Sequence, residues 1–288
     1  METGTIAARL LRLSLPAAAL LGCLAGAPAQ AALLFQRDLP AINLNDAAGA
    51  NRSNVDWSFS PPSFLTGDDF TLPALPSGAA NWVVDSIRVW IDSGTAPGTT
   101  FPSNVYPNLT LYGGPDSVGV AALSSGSTTG NPNIAIAPVT YPDGSNYQGS
   151  SGNMYQIWQV DFGNLNWLVA ANSLTDFAVS PCLTTANPFC VNTNDPNSYL
   201  YLLASNAALS GSIQQGADGL VLWFDSSNLA NYGVWDTAPV ADGGNGGFIN
   251  STDINIQVYG HAVPEPGSLL LAGLGLGGLA LRRRRTAV

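Results

Sequence analysis

The sequence predicts an all-β protein, a β-sandwich of jelly-roll type, and three observations predict it. Short β-like runs recur from residue 33 to residue 259, separated by clusters of Gly, Pro, Asn, Asp and Ser. Residues 32–262 contain no Lys and no Glu, two good helix formers, and no convincing amphipathic helix. Every acid in that portion is an aspartate, whose short side chain bonds its own backbone in turns.

Taken in order, the candidate strands are Leu33–Asp38, Val55–Phe59, Asp69–Leu72, Val83–Asp92, Asn108–Tyr112, Val118–Leu123, Ile134–Val139, Tyr155–Phe162, Thr175–Val179, Tyr199–Ala204, Leu220–Asp225 and Asp253–Tyr259. Pro61-Pro62 ends the second, because proline cannot donate to a ladder. Val83–Asp92 carries Val83, Ile87, Val89 and Ile91 at odd positions, interrupted by Asp85, with Val84, Ser86, Arg88 and Trp90 between them. One of its faces is core and the other is mixed. In Tyr155–Phe162 the core side is Gln156, Trp158, Val160 and Phe162. Leu220–Asp225 is apolar on both faces, as a doubly covered strand would be. Pro142-Asp143-Gly144 and the Gly-rich stretch 242–247 are further turn signals, and the long loops are Ser124–Gly152 and Cys182–Asn197. No internal repeat stands out.

Both ends of the chain read as addresses. Arg9 and Arg12 form a positive n-region, Leu13–Ala25 an apolar h-region, and Ala29-Gln30-Ala31 an A-x-A cleavage site. This predicts a signal helix over residues 1–31 and a mature chain beginning at Ala32. Leu20-Leu21-Gly22-Cys23 competes as a lipobox, but Leu two residues before Cys is atypical there, and the A-x-A site is preferred. At the other end, residues 263–288 read Val263-Pro264-Glu265-Pro266, an uncharged apolar run from Gly267 to Leu281, then Arg282-Arg283-Arg284-Arg285. As a helix that run covers roughly 22 Å, short of the ~30 Å hydrocarbon core, so it is a marginal transmembrane helix. Gly273 and Gly277 stand at GxxxG spacing. The four arginines form a stop-transfer cluster on the cytoplasmic side, which places the body outside.

The body, residues 32–262, sets three arginines (Arg37, Arg52, Arg88) against seventeen aspartates, a net −14 with its histidine neutral. Such a balance argues against nucleic acid or an anionic membrane surface as partner. Cys182 and Cys190 bracket a short loop and are expected to form a disulfide in an oxidising compartment.

Little here predicts catalysis. The single histidine, His261, stands two residues from Val263 and is expected in a linker. A Ser-His-Asp triad would need a histidine inside the fold, and no zinc motif occurs. Asp68-Asp69 is the one adjacent acid pair; neighbours in a strand point to opposite faces, so a glycan hydrolase built on them is the weakest reading. The plain expectation for every aspartate is a turn or a solvated surface. Trp90 and Trp223 carry two readings, an aromatic platform for sugar rings or core on doubly covered strands, and the second is preferred. No cofactor is expected. A structural calcium ion has Asp218, Asp225, Asp236 and Asp242 as loop candidates, without any EF-hand pattern.

The tail also carries a resemblance. Pro264-Glu265-Pro266, the Gly/Leu-rich run and the Arg cluster together resemble the PEP-CTERM sorting signal of Gram-negative bacteria. The resemblance implies recognition by a membrane-embedded exosortase, cleavage near the motif, and passage from an inner-membrane intermediate to the cell surface or extracellular matrix. Signal peptidase and exosortase are then the processing partners, with exopolysaccharide as a further candidate. Thr66–Leu72 followed by Trp82–Trp90 is similar to a sandwich domain found in front of such tails. The expectation is a non-catalytic structural or adhesive module, with a carbohydrate-binding module as the alternative.

Overall fold

The structure is a computed structural model that describes residues 31–44, 53–58, 64–140, 147–148, 153–181, 200–225, 227–234 and 252–265. The chain divides into two units, Met1–Ala31 and Ala32–Val288, and all described strands belong to the second.

Alternating apolar runs bounded by turn residues form strands throughout. They are β1 (Ala32–Arg37), β2 (Asn54–Ser58), β3 (Phe64–Thr71), β4 (Ala79–Asp92), β5 (Asn108–Pro115), β6 (Ala121–Ser127), β7 (Ile134–Pro138), β8 (Tyr147–Gln148), β9 (Met154–Tyr155), β10 (Ile157–Phe162), β11 (Trp167–Val169), β12 (Leu174–Ser180), β13 (Tyr201–Ser205), β14 (Leu222–Asp225), β15 (Asn228–Val234), β16 (Asp253–Ile254) and β17 (Ile256–Pro264). All described pairings are antiparallel. The first sheet runs β1-β17-β4-β10-β7, with β11 and β13 also on β4, and β2 and β16 on β13. The second runs β15-β14-β3-β12-β5-β6. Their inner faces meet in one core: Ile87, Val89, Ile91, Val160, Phe162 and Val258 from the first sheet, Phe70, Leu109, Leu111, Phe177 and Val179 from the second, joined by Val221 just before β14. No described residue is helical, and the predicted signal and transmembrane helices lie outside the described residues. Among the described residues, no helix is long and apolar enough to cross a membrane.

The interruption at Asp85 has a structural cause. β17 pairs Tyr259 with Ser86 but Gly260 with Val84, so Asp85 is an extra residue in β4, a β-bulge. The bulge reverses the alternation. Beyond it Ile87, Val89 and Ile91 face the core, whereas before it the core residues are Trp82 and Val84 rather than Val83. Gln156, expected on the core side, lies just outside β10 and instead binds the carbonyls of Val139 and Ile157 at 3.0 and 2.9 Å.

Both sheets have partly covered outer faces. Trp90, Leu203 and Ile157 on the first are roofed by Leu44 and Leu39. On the second, Leu65, Ala178, Leu222 and Phe224 are roofed by Val120, Leu229 and Tyr232. Gly67 in β3 is a close approach: a Cβ there would drive into the Phe177 carbonyl of β12.

Candidate functional site

The tail motif does not begin in a linker. β17 continues to Pro264, pairing His261 with Val83, Ala262 with Trp82, Val263 with Asn81 and Pro264 with Ala79. Glu265 N–H then donates to the Gly78 carbonyl at 2.8 Å. His261, expected in a linker, is therefore a strand residue, and its Nδ1 lies 2.8 Å from Asp85 Oδ2. The bulge presents Asp85 to it. Pro266 and Arg282–Arg285 lie outside the described residues. Of the signal-cleavage pair, Ala29 is outside them too, and Ala31 is the residue just before β1.

On the other side of β17, β1 ends its pairing at Ala32 opposite Gly260. Residues up to Gly260 are thus held by two strands, and residues past it by β4 alone. The first strand of the body and the start of the sorting motif leave from one end of one sheet.

Arg37, at the far end of β1, is 1% exposed and sits between two buried aspartates. Its Nη1 donates to Asp68 Oδ2 at 3.0 Å and to Asp253 Oδ1 at 3.1 Å, and its Nη2 donates to the Asp69 carbonyl. Asp68 also accepts the N–H of Ile254 at 2.6 Å and of Asp69 at 2.8 Å. Asp253 accepts the N–H of Asp218 at 2.9 Å and of Gly219 at 3.1 Å. Burial pushes both carboxyls above the usual carboxylate range, and the Arg37 charge opposes that push. Aspartates were expected in turns and on solvated surfaces; Asp68, Asp176 and Asp253 are instead buried inside the fold. Asp68 and Asp69 do point to opposite faces, since Asp68 reaches Arg37 while Asp69 stands across from Asp176.

That second pairing is the other concentration of charge. Asp69 on β3 and Asp176 on β12 are direct cross-strand partners, which sets like charges side by side. Both oxygens of Asp176 are buried without a hydrogen-bond partner. Desolvation, followed by the charges of Asp116 and Asp69, raises Asp176 to about 7. Desolvation also raises Asp69 to about 6, with Arg37 acting against it. Asp116 is fixed above them by Tyr232, whose hydroxyl donates to Asp116 Oδ1 at 2.8 Å. Among the described residues, no group of three His, Cys, Asp or Glu side chains is placed to hold a metal ion. Of the loop candidates for calcium, Asp225 is tied to Ser227 and Asp218 to Leu220, while Asp236 and Asp242 lie outside the described residues.

Trp90 and Trp223 stand on different sheets and share no surface. Trp90 is 6% exposed beneath Leu44, so the platform reading fails for it. Trp223 is half-buried, edge-on to Phe64 with ring centroids 4.9 Å apart, and it covers Gly233 of the neighbouring strand. The sheet face that does meet solvent is polar. Arg88 grips Asp161 with two bonds, Nε to Oδ1 at 2.6 Å and Nη2 to Oδ2 at 3.2 Å. Gln257 joins Arg88, Tyr259 and Asp38 at 3.2, 2.7 and 2.7 Å. The Arg88 guanidinium also lies over the Tyr259 ring, 5.6 Å from its centroid. Nothing in the sequence marked this face, because its members come from β4, β10 and β17, with Asp38 just past β1. Cys182 and Cys190 lie outside the described residues.

No curated protein and no solved structure matches the chain. One family does, over the segment where β17 gives way to the apolar run. Residues 262–285 match the family described as the PEP-CTERM protein-sorting motif, and this chain therefore carries that motif from the end of the last described strand onward.

Proposed function

We propose that residues 32–262 are a non-catalytic structural or adhesive module, displayed on the cell surface or in the extracellular matrix after the tail has passed through the inner membrane. The sorting motif makes the chain an exported protein that an exosortase processes. The observation that carries the module reading is the shared exit: Ala32 pairs with Gly260, three residues before Val263. Cross-strand partners lie about 4.5–5.5 Å apart. Both processing junctions thus face the membrane together, which leaves the far end of the two sheets turned outward. Non-catalysis is supported by the engagement of Asp68, which the hydrolase reading needs and which Arg37 and Ile254 occupy.

Mass spectrometry of the surface fraction tests the delivery. The expected mature chain begins at Ala32 and lacks Arg282–Arg285; a surface protein retaining the arginine cluster makes the tail an anchor. Hydrolysis of matrix glycans by the purified body would overturn the non-catalytic reading.

A carbohydrate-binding module is the second reading. It is favoured by the solvent-facing patch of Arg88, Asp161, Gln257 and Tyr259 rather than by the two tryptophans. Planar polar groups beside one aromatic ring suit sugar hydroxyls and C–H faces.

A further inference from the structure

We infer that the sorting motif is masked by the folded body, and that the processing enzyme receives it as an extended segment only after residues 261–265 have peeled from β4. The inference rests on the sorting reading above. Its ground is the ladder itself. Val263 and Pro264 are paired to Asn81 and Ala79, and Glu265 is hydrogen-bonded to Gly78. In sequence, the apolar run begins two residues beyond Glu265. Two extended residues reach at most about 7 Å, so the rim of the sheet lies close to any membrane the tail enters. A membrane-embedded enzyme closing around the motif would meet β4 and the 73–78 connection on the motif's own backbone.

The structure also says where peeling stops. Up to Gly260, β17 lies between β1 and β4, and Ile256 and Val258 are fully buried. Past Gly260 it has only β4, its side chains are half-buried or exposed, and register shifts stand at both ends of the segment, between Tyr259 and Gly260 and between Val263 and Pro264. Pro264 has no N–H to contribute. Three contacts oppose release: the His261–Asp85 pair, the packing of Ala262 against the core, and the Glu265–Gly78 bond. The five released residues add roughly 17 Å of extended chain, enough to separate the motif from the sheet. The partner fitted by this arrangement is a membrane enzyme with an extended-peptide groove, approaching the end of the sheet where Ala32 also emerges.

A reversible staple tests this. His261 and Val83 are direct cross-strand partners, at a spacing a disulfide spans. In cells carrying the exosortase, pulse-chase with mass analysis would follow tail loss from the full chain. His261→Cys with Val83→Cys is expected to slow tail loss at least tenfold until reductant is added, while Val83→Cys alone stays near normal and His261→Cys alone, which loses the Asp85 pair, speeds tail loss as Asp85→Ala does. A six-residue Gly/Ser insertion between Ala262 and Val263 is expected to make tail loss insensitive to the same staple. Asp85→Ala should speed tail loss a few-fold. Equal rates in stapled and unstapled chains overturn the masking. So does a staple whose effect survives the insertion, because the defect is then one of folding. If the unmodified chain never loses its tail, the sorting reading itself fails, a result separable from both.

Discussion

Replacing Arg37 by Met tests how the two sheets are locked together. Among the described residues Arg37 is the sole cation in this buried cluster, with Asp68 and Asp253 on one nitrogen and both carboxylates fully buried. Removing one partner of a buried ion pair strands the other charges, a change worth about 3–5 kcal/mol. For a body of this size each kcal/mol shifts the midpoint by about 2–4 °C, so a drop of roughly 6–20 °C is expected. Thermal and urea unfolding of the fragment 32–265, which keeps every described strand, would measure it. The loss should depend on pH. Without Arg37 the folded-state pKa values of Asp68 and Asp253 rise further, and a raised carboxyl loses its stabilising share as pH climbs through it. The deficit should therefore be smaller at pH 5 than at pH 8. Adding Asp68→Asn and Asp253→Asn removes the stranded charges while keeping an acceptor for the N–H groups of Ile254 and Gly219, and should recover at least half of the loss. A cost of less than about 1 kcal/mol, or a neutral triple variant no better than the single one, would refute the view that Arg37 neutralises buried charge.

Further predictions concern the second acid pair, the two sheet faces and the loop. Asp69 and Asp176 titrate near 6 and 7 instead of 3.8, so the folded state holds protons that the unfolded state has released; stability should fall as pH rises from about 4 to 7 and level off above. Asp176→Asn should flatten that slope and stabilise the body at pH 8 by on the order of 1–2 kcal/mol after allowance for solvent screening. Trp90→Ala should cost about 3–5 kcal/mol by emptying a packed site. Tyr259→Ala, by contrast, should leave folding nearly intact and weaken retention on matrix polysaccharide if the polar face binds sugar; unchanged retention would sink the carbohydrate reading. Thiol titration of the exported chain should find Cys182 and Cys190 unreactive until reductant is added, and two free thiols would count against the disulfide.

Much of the fold was legible because it follows from period-2 alternation and turn residues. The candidate strands from Leu33 to Tyr259 all overlap observed ones. Three stretches escaped notice for local reasons. β8 has two residues and β11 has three, too few to show a period. β15, Asn228–Val234, is polar enough to read as a loop and is held by pairing with β14. The candidate sites were less legible. Nothing near Arg37 in sequence announces Asp253, 216 positions away, and the cross-strand meeting of Asp69 with Asp176 depends on register alone.

The sequence by itself determined the destination. A sorting tail is read as a linear string of motif, apolar run and basic cluster, so composition and order suffice to recognise it. It also determined the strand-rich class, since the absence of Lys and Glu and the spacing of turns leave helices little support. Tertiary structure decided the rest. It alone roofs Trp90, buries aspartates that look like turn residues, and gathers Arg88, Asp161, Gln257 and Tyr259 from distant strands onto one face. It also decided that His261 and the first half of the motif belong to a strand. Pairing is a property of two chain segments in register, and β4 lies about 180 residues upstream of the motif it holds.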